Sequence, residues 1–434
     1  MSGFALFIGA AMFLAPRQNP APAAIALPDA IRISEAHSAE VKQAFAAYLA
    51  ARARGGQIAS RRNPHLDFDA SVTRYDDRTT VNLPGMNAPF EVAPNNSEAL
   101  TIALTEDFDI SGGIGQAVSQ ARLEARAAQF EVVAISADQA LNTTTAYYAV
   151  LRAEQNLRVA VASLDAYREQ QGTTTRLYKG GVGQRIDVYR ADSQVADAES
   201  EVVRRQNDLN STRSAMNDLL GQPLDAPIAL VAPAEAPTAY DTSRRTDLIA
   251  QALNRRPEAL EASVEVLAAK KGIRVARTTS DPAMLLNLSG NRYPTTSFEL
   301  PRQNVAALTL TLSIPIYDGG LARAKVDEAK DELTTAQARE DRIRRDIALQ
   351  VQNAALDAET AQKREAAADV ELQAALAARK LAQQRFESQV GLYIEVTDAQ
   401  SALTAAQAAQ VQATYDLLTA QAQLAHAVND PITK

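Results

Sequence analysis

Two stretches of this 434-residue chain, Gly113 to Gln171 and Gly319 to Arg385, run without a proline or a strong helix breaker. At a rise of about 1.5 Å per residue the second would reach about 100 Å as one helix, several times the length usual in globular proteins. No compact core can cover both ends of such a rod. The sequence therefore demands an elongated bundle or tube, and the pattern after each stretch says how its helices meet. Val396, Leu403, Gln410, Leu417 and Leu424 recur every seven residues, and Ala399, Ala406, Ala413, Ala420 and Ala427 form a second row beside them. This is the a/d seam of a coiled coil, with alanine in one row so that helix axes can approach closely. Val188, Val195, Val202, Leu209 and Met216, with Ala191 and Ala198, repeat the seam earlier in the chain, and Ile343, Ile347, Val351, Ala354 and Ala358 form another apolar stripe.

The chain is also an internal repeat. Phe108-Asp109 matches Tyr317-Asp318 at an offset of 209 residues, and Val182-Gly183 matches Val390-Gly391 at 208. The second match extends from Val182-Gly183-x-x-Ile186-Asp187-Val188 to Val390-Gly391-x-x-Ile394-Glu395-Val396. Residues 27–220 form the first repeat and 243–428 the second. Between them 221–242 is rich in proline and alanine without periodicity and reads as a linker, and 429–434 is a short tail. Phe4 to Leu14 is an apolar run too short to span a bilayer. With Ala21-Pro22-Ala23 and Ala24-Ile25-Ala26 behind it, residues 1–26 read as an export signal, although no basic residue precedes the run.

Four segments change to a period of two. Leu66, Phe68, Ala70 and Val72 alternate with polar neighbours, as do Leu100, Ile102 and Leu104, Leu286 and Leu288, and Leu308, Leu310, Leu312 and Ile314. One reading is a pair of amphipathic hairpins packed on the helices. The other is a set of membrane strands of about 10 residues, joined by the long polar loops Asp76 to Ser97 and Arg292 to Asn304. Four strands cannot close a membrane barrel, so the second reading requires several copies. The rest of the sequence excludes much else. A net charge of −8 offers no basic face for nucleic acid, the absence of Cys removes thiol and Cys-metal chemistry, and His37, His65 and His426 lie too far apart for a ligand motif. No metal, no cofactor and no enzymatic residue set is expected. Ser111-Gly112-Gly113-Ile114-Gly115 lacks the Lys-Ser/Thr of a phosphate loop and reads as a strand-to-helix turn.

These features together resemble the TolC-like outer-membrane efflux and secretion channels, from about residue 27 to the end. The most specific match is Leu312-Ser313-Ile314-Pro315-Ile316-Tyr317-Asp318-Gly319-Gly320, a junction where Pro315 and the Gly319-Gly320 pair, following Asp318, let a strand turn into a helix; Leu253-Asn254-Arg255-Arg256-Pro257-Glu258 is also typical. The resemblance implies a mainly α fold with a small β part: long antiparallel coiled-coil helices in a trimeric α-barrel, and four strands per chain in a 12-stranded transmembrane β-barrel. It implies a homotrimer embedded in outer-membrane lipid of a Gram-negative bacterium, with a periplasmic helical domain. The partners it implies are a periplasmic adaptor and an inner-membrane pump of RND or ABC type, in drug efflux or type I secretion. A periplasmic coiled-coil adaptor is the alternative that shares the heptads.

By the same resemblance Glu395 and Asp398, three apart on one helical face, are the carboxylates of a periplasmic gate, gathered six to a ring and open to cations. A first helical turn also favours acids for its own sake. Three positions depart from the family pattern: Gly391 replaces an arginine, Phe386 a tyrosine and Gly172 an acid. Arg190, Arg185 and Asp187 are the candidate substitutes in the closing network. The tip turns Gly181, Val182, Gly183, Val390 and Gly391 are the expected adaptor-docking points.

Overall fold

The computed structural model describes residues 24–430 except 78, 83, 86–88, 94, 233–241, 294–303 and 389. The long apolar seams are realised as helices of matched length. Helices α1 (Leu27–His37) and α2 (Ala39–Ser60) lead into strands β1 (His65–Arg74), β2 (Thr79–Val81), β3 (Phe90–Ala93) and β4 (Asn96–Phe108). Then come α3 (Gly113–Lys179) and α4 (Arg185–Leu219). The second repeat contains α5 (Arg245–Arg255), α6 (Pro257–Arg277), β5 (Ala283–Arg292), β6 (Asn304–Ser313), α7 (Leu321–Glu387) and α8 (Tyr393–Ala427). Helices α3 and α7 are each 67 residues long, and α4 and α8 each 35.

The heptad rows lie where the helices meet. Val195, Ala198, Leu209 and Met216 of α4 are buried, as are Val396, Leu403, Ala406, Ala413, Ala420 and Leu424 of α8. One core gathers Tyr147, Tyr148, Leu209, Met216, Tyr415 and Leu418, and another joins Ile347, Val351 and Ala355 to Leu424, Ala252 and Ala259. Tyr147 donates its hydroxyl to the carbonyls of Ile25 and Val231, and burial pushes its pKa up to about 12. Arg256 is almost fully buried and donates to Glu258 and Gln350, which gives the Arg256-Pro257-Glu258 motif a structural role at the start of α6.

The export-signal reading falls mainly on residues 1–23, outside the described residues. Ile25, within the expected 1–26 signal, forms a parallel bridge with Leu230. Cleavage after Ala23 leaves that bridge intact, and cleavage after Ala26 removes it. The linker also begins as packed chain. Ile228 is buried, and Asn217 donates to the carbonyls of Leu224 and Ala226.

The four alternating segments form one antiparallel sheet in the order β1-β4-β5-β6, so the two repeats meet at β4 and β5. Register aligns their apolar residues on one face. Leu66 opposes Leu104, which opposes Leu288, which opposes Leu308; one row further, Leu286 opposes Leu310. The other face is largely polar, and there Thr101 donates to Asn291 and Asn287 to Thr105 across β4 and β5. Among the described residues nothing covers the apolar face: Leu66 is 71% exposed and Leu308 69%. Strands β2 and β3 pair separately within the segment from Asp76 to Ser97, which the sequence predicts as a polar loop.

Candidate functional site

At the upper ends of the long helices, aspartates set the turn from strand to helix. Asp318 accepts from the backbone N–H groups of Gly320 and Ala322, and Gly319 and Gly320 sit at φ 67° and 91°, where a side chain is strained. Asp109 does the same one repeat earlier, accepting from Ile114 and Gly115 while Arg62 donates to it at 2.9 Å. The glycine-rich run at 111–115 is thus a strand-to-helix turn whose free amides are taken by the chain's own carboxylate. Partial burial works against the charge of Asp109. The hydrogen bonds from Arg62, Gly115 and Ile114 and the guanidinium charge outweigh it and hold the carboxyl below the usual range. For Asp318, the amides of Ala322 and Gly320 do the lowering.

At the lower ends, two tips join α3 to α4 and α7 to α8. Val182 and Val390 are exposed there, and Gly183 and Gly391 occupy equivalent tight places. A Cβ on Gly183 would lie 2.8 Å from the Tyr178 nitrogen, and one on Gly391 would lie 2.9 Å from the Arg385 Cβ. These glycines are fixed by packing of the turn, whatever docks on it.

The gate candidates sit on the first turns of α8. Glu395 lies 3.6 Å from Arg385, across the tip on α7, while Asp398 is exposed. Arg385 is a residue that sequence reasoning missed. Within one chain the expected substitutes engage elsewhere: Arg190 pairs with Asp187 at 3.6 Å, and Arg185 lies over the Tyr189 ring. A hydroxyl lies beside Phe386, which has none of its own. Tyr393 packs edge-on against the Phe386 ring and donates to Gln194 on α4. Burial, then the charge of Asp187, push its pKa up to about 12, so it stays a neutral donor. Tyr167 with Ser401 and Ser163 with Thr404 add hydroxyl contacts between α3 and α8. Among the described residues no group of three or more metal-ligating side chains is present, and no helix is long and apolar enough to cross a membrane.

A family model described as outer membrane efflux protein matches residues 30–222 and 248–430, both repeats in turn. The chain belongs to this family. Its members are transport channels, not enzymes. Protein CyaE of Bordetella pertussis is 25% identical over 323 residues, covering 74% of this chain and 66% of its own. The chain therefore spans just under two thirds of that relative's length. The outer-membrane channel OprN superposes with a TM-score of 0.76 at 22% identity, covering 94% of this chain and 91% of its own. VceC from Vibrio cholerae gives 0.76 at 20% identity, covering 94% and 96%. These structures share the fold: mainly helical, with a sheet of four strands.

Proposed function

We propose that three copies of this chain form an outer-membrane channel that conducts substrates without chemistry, from an inner-membrane transporter and a periplasmic adaptor to the outside. The observation that carries this reading is the four-stranded sheet, with one exposed apolar face and with β1 and β6 as outer strands, mounted on helices of 67 residues. An open edge in lipid leaves backbone groups unpaired, so β6 of one copy must meet β1 of the next. Two copies would give a barrel of about 8 strands, whose interior side chains fill, and three are the first closure with a passage. A soluble adaptor has no use for such a face.

In this reading Glu395 and Asp398 form the acidic ring at the periplasmic entrance, Arg385 tempers it, and the tips around Gly181 to Gly183 and Val390-Gly391 meet the adaptor. Arg190 and Arg185 remain able to act between copies. The test is the native mass of protein extracted by detergent from outer-membrane fractions. A trimer is expected; a monomer in the soluble fraction would overturn the channel and restore the adaptor.

A further inference from the structure

The two repeats correspond element by element at two constant offsets. Gly112 and Gly320, both at positive φ, cap α3 and α7 and lie 208 residues apart. The same 208 separates the ends of those helices at Lys179 and Glu387, the starts of α4 and α8 at Arg185 and Tyr393, and the starts of β4 and β6 at Asn96 and Asn304. The elements before them keep an offset of 218: α2 and α6 start at Ala39 and Pro257, and β1 and β5 run from His65 to Arg74 and from Ala283 to Arg292. Both offsets are even. Leu100, Ile102 and Leu104 therefore fall on Leu308, Leu310 and Leu312, and the apolar face stays on one side of the sheet.

One junction between repeats is already made inside the chain. β4 of the first repeat pairs with β5 of the second, from Leu100 opposite Arg292 to Phe108 opposite Met284. Repeats of one fold that close a ring meet by the same edges, so this ladder is the template for β6 and the β1 of the next copy. Moving β4 forward by 208 and β5 back by 218 sets Leu308 opposite Arg74 and Ile316 opposite Leu66. The side chains agree with that register: Leu310 meets Val72, Leu312 meets Ala70 and Ile314 meets Phe68, apolar on apolar in every row of that face. The strand ends agree as well. β4 runs on to Phe108 against β5, whereas β6 stops at Ser313, and among the described residues no strand lies beyond it. The counterparts of Glu106, Asp107 and Phe108 are Ile314, Pro315 and Ile316, and Ile316 is 97% exposed.

The helices below the sheet follow the strands. α3 packs on α6, and its counterpart α7 has α6 on one flank and, among the described residues, no helix packed on the other beside the sheet. The counterpart of α6 is α2, so the α2 of the next copy fills that flank. A Cβ on Gly272 of α6 would lie 3.6 Å from the Gln120 amide nitrogen of α3. The counterparts of this pair are Arg54 and Glu328. They stand on the two outer helices of a groove across α2, α3, α6 and α7 that Glu124, Glu131, Glu261 and Glu265 also line. Among the described residues neither Arg54 nor Glu328 has an ion pair or a side-chain hydrogen bond in its own chain.

We propose that β6 pairs with β1 of a second copy of this chain in one register, from Leu308 opposite Arg74 to Ile316 opposite Leu66. Assembly extends β6 by three residues and sets Glu328 of α7 beside Arg54 of the next copy's α2. The proposal rests on the channel reading, which supplies the second copy.

The chain has no Cys, so introduced pairs are its only thiols. The test places Thr311→Cys on the polar face of β6 together with Ser71→Cys, Thr73→Cys or Asp69→Cys on β1. The full chain is extracted in detergent from outer-membrane fractions, oxidised with copper phenanthroline and read on non-reducing gels beside its native mass. T311C/S71C is expected to give linked dimers and trimers, with about fivefold less from T311C/T73C and T311C/D69C, whose Cβ atoms lie diagonally across the ladder. Co-expressed single variants T311C and S71C should give linked dimers and no linked trimers, because the bond runs between copies. Arg54→Cys with Glu328→Cys should link through a short bismaleimide, and trimers without that link overturn the helix contact. A maximum at Thr73→Cys or Asp69→Cys overturns the register, and trimers that link at none of the three overturn the strand pairing. Soluble monomers in the native mass are a different failure, that of the channel reading itself.

Discussion

Glu261 on α6 is a carboxylate whose ionisation weakens the fold. Burial, then the charges of Glu265 and Glu131, push its pKa up to about 7 from an ordinary 4.5. Arg339 opposes them from 3.6 Å, and Glu258 adds to the rise. The folded chain therefore keeps this proton where the unfolded chain has lost it. Stability is full below about 4.5 and falls as the pH rises to about 7, above which the loss is complete. At about 1.4 kcal/mol per tenfold the shift corresponds to roughly 3 kcal/mol, and solvent reaching the groove reduces this to about 1–2 kcal/mol. Glu261→Gln removes the penalty. With an unfolding entropy of about 2.1 cal/mol/K per residue, the variant should melt about 1–2 °C above the wild type near pH 8 and level with it near pH 4. Circular dichroism melting of the detergent-purified protein at both pH values reads this directly. A difference between variant and wild type that does not change with pH would refute the reasoning.

Leu310→Arg, on the exposed apolar face, should block membrane assembly by placing a charge at a cost of about 2–4 kcal/mol in lipid, whereas Thr309→Arg on the polar face should be tolerated; equal recovery of both from outer-membrane fractions would contradict the barrel. Glu395→Ala with Asp398→Ala should raise single-channel conductance in planar bilayers and abolish block by multivalent cations, and Arg385→Ala should strengthen that block. Gly391→Ala forces a Cβ against Arg385 and should destabilise the second tip by about 1–3 kcal/mol, visible as faster proteolytic nicking at the turn. Gly320→Ala, strained at φ 91°, should lower the melting temperature, whereas Gly56→Ala, inside α2 and in open space, should raise it slightly.

The helices were legible because their information is local and repeated: a seven-residue period survives any choice of neighbour. The strands were legible for the same reason, and Leu66, Leu104, Leu288 and Leu308 share one face because a one-residue slip of any strand would turn its apolar set to the other side. The contacts of the tip were not legible. Glu395 meets Arg385 across a turn, and Tyr393 meets a glutamine 199 residues away, so no spacing rule connects them. The proton held by Glu261 depends on α3, α6 and α7 coming together, which periodicity implies only in outline. The aspartate caps at Asp109 and Asp318 had a signal that was available, an acid just before glycines at a helix start.

The equal lengths of α3 and α7, and of α4 and α8, tie four separate segments to one dimension. Losing a heptad from one of them leaves its tip short by about 10 Å and slides its seam against a partner that has not moved. The same loss taken from all four keeps every seam in step and brings both tips up together. The reach of this protein below its sheet is thus quantised, adjustable in steps of one heptad and only by coordinated changes at four places in the gene.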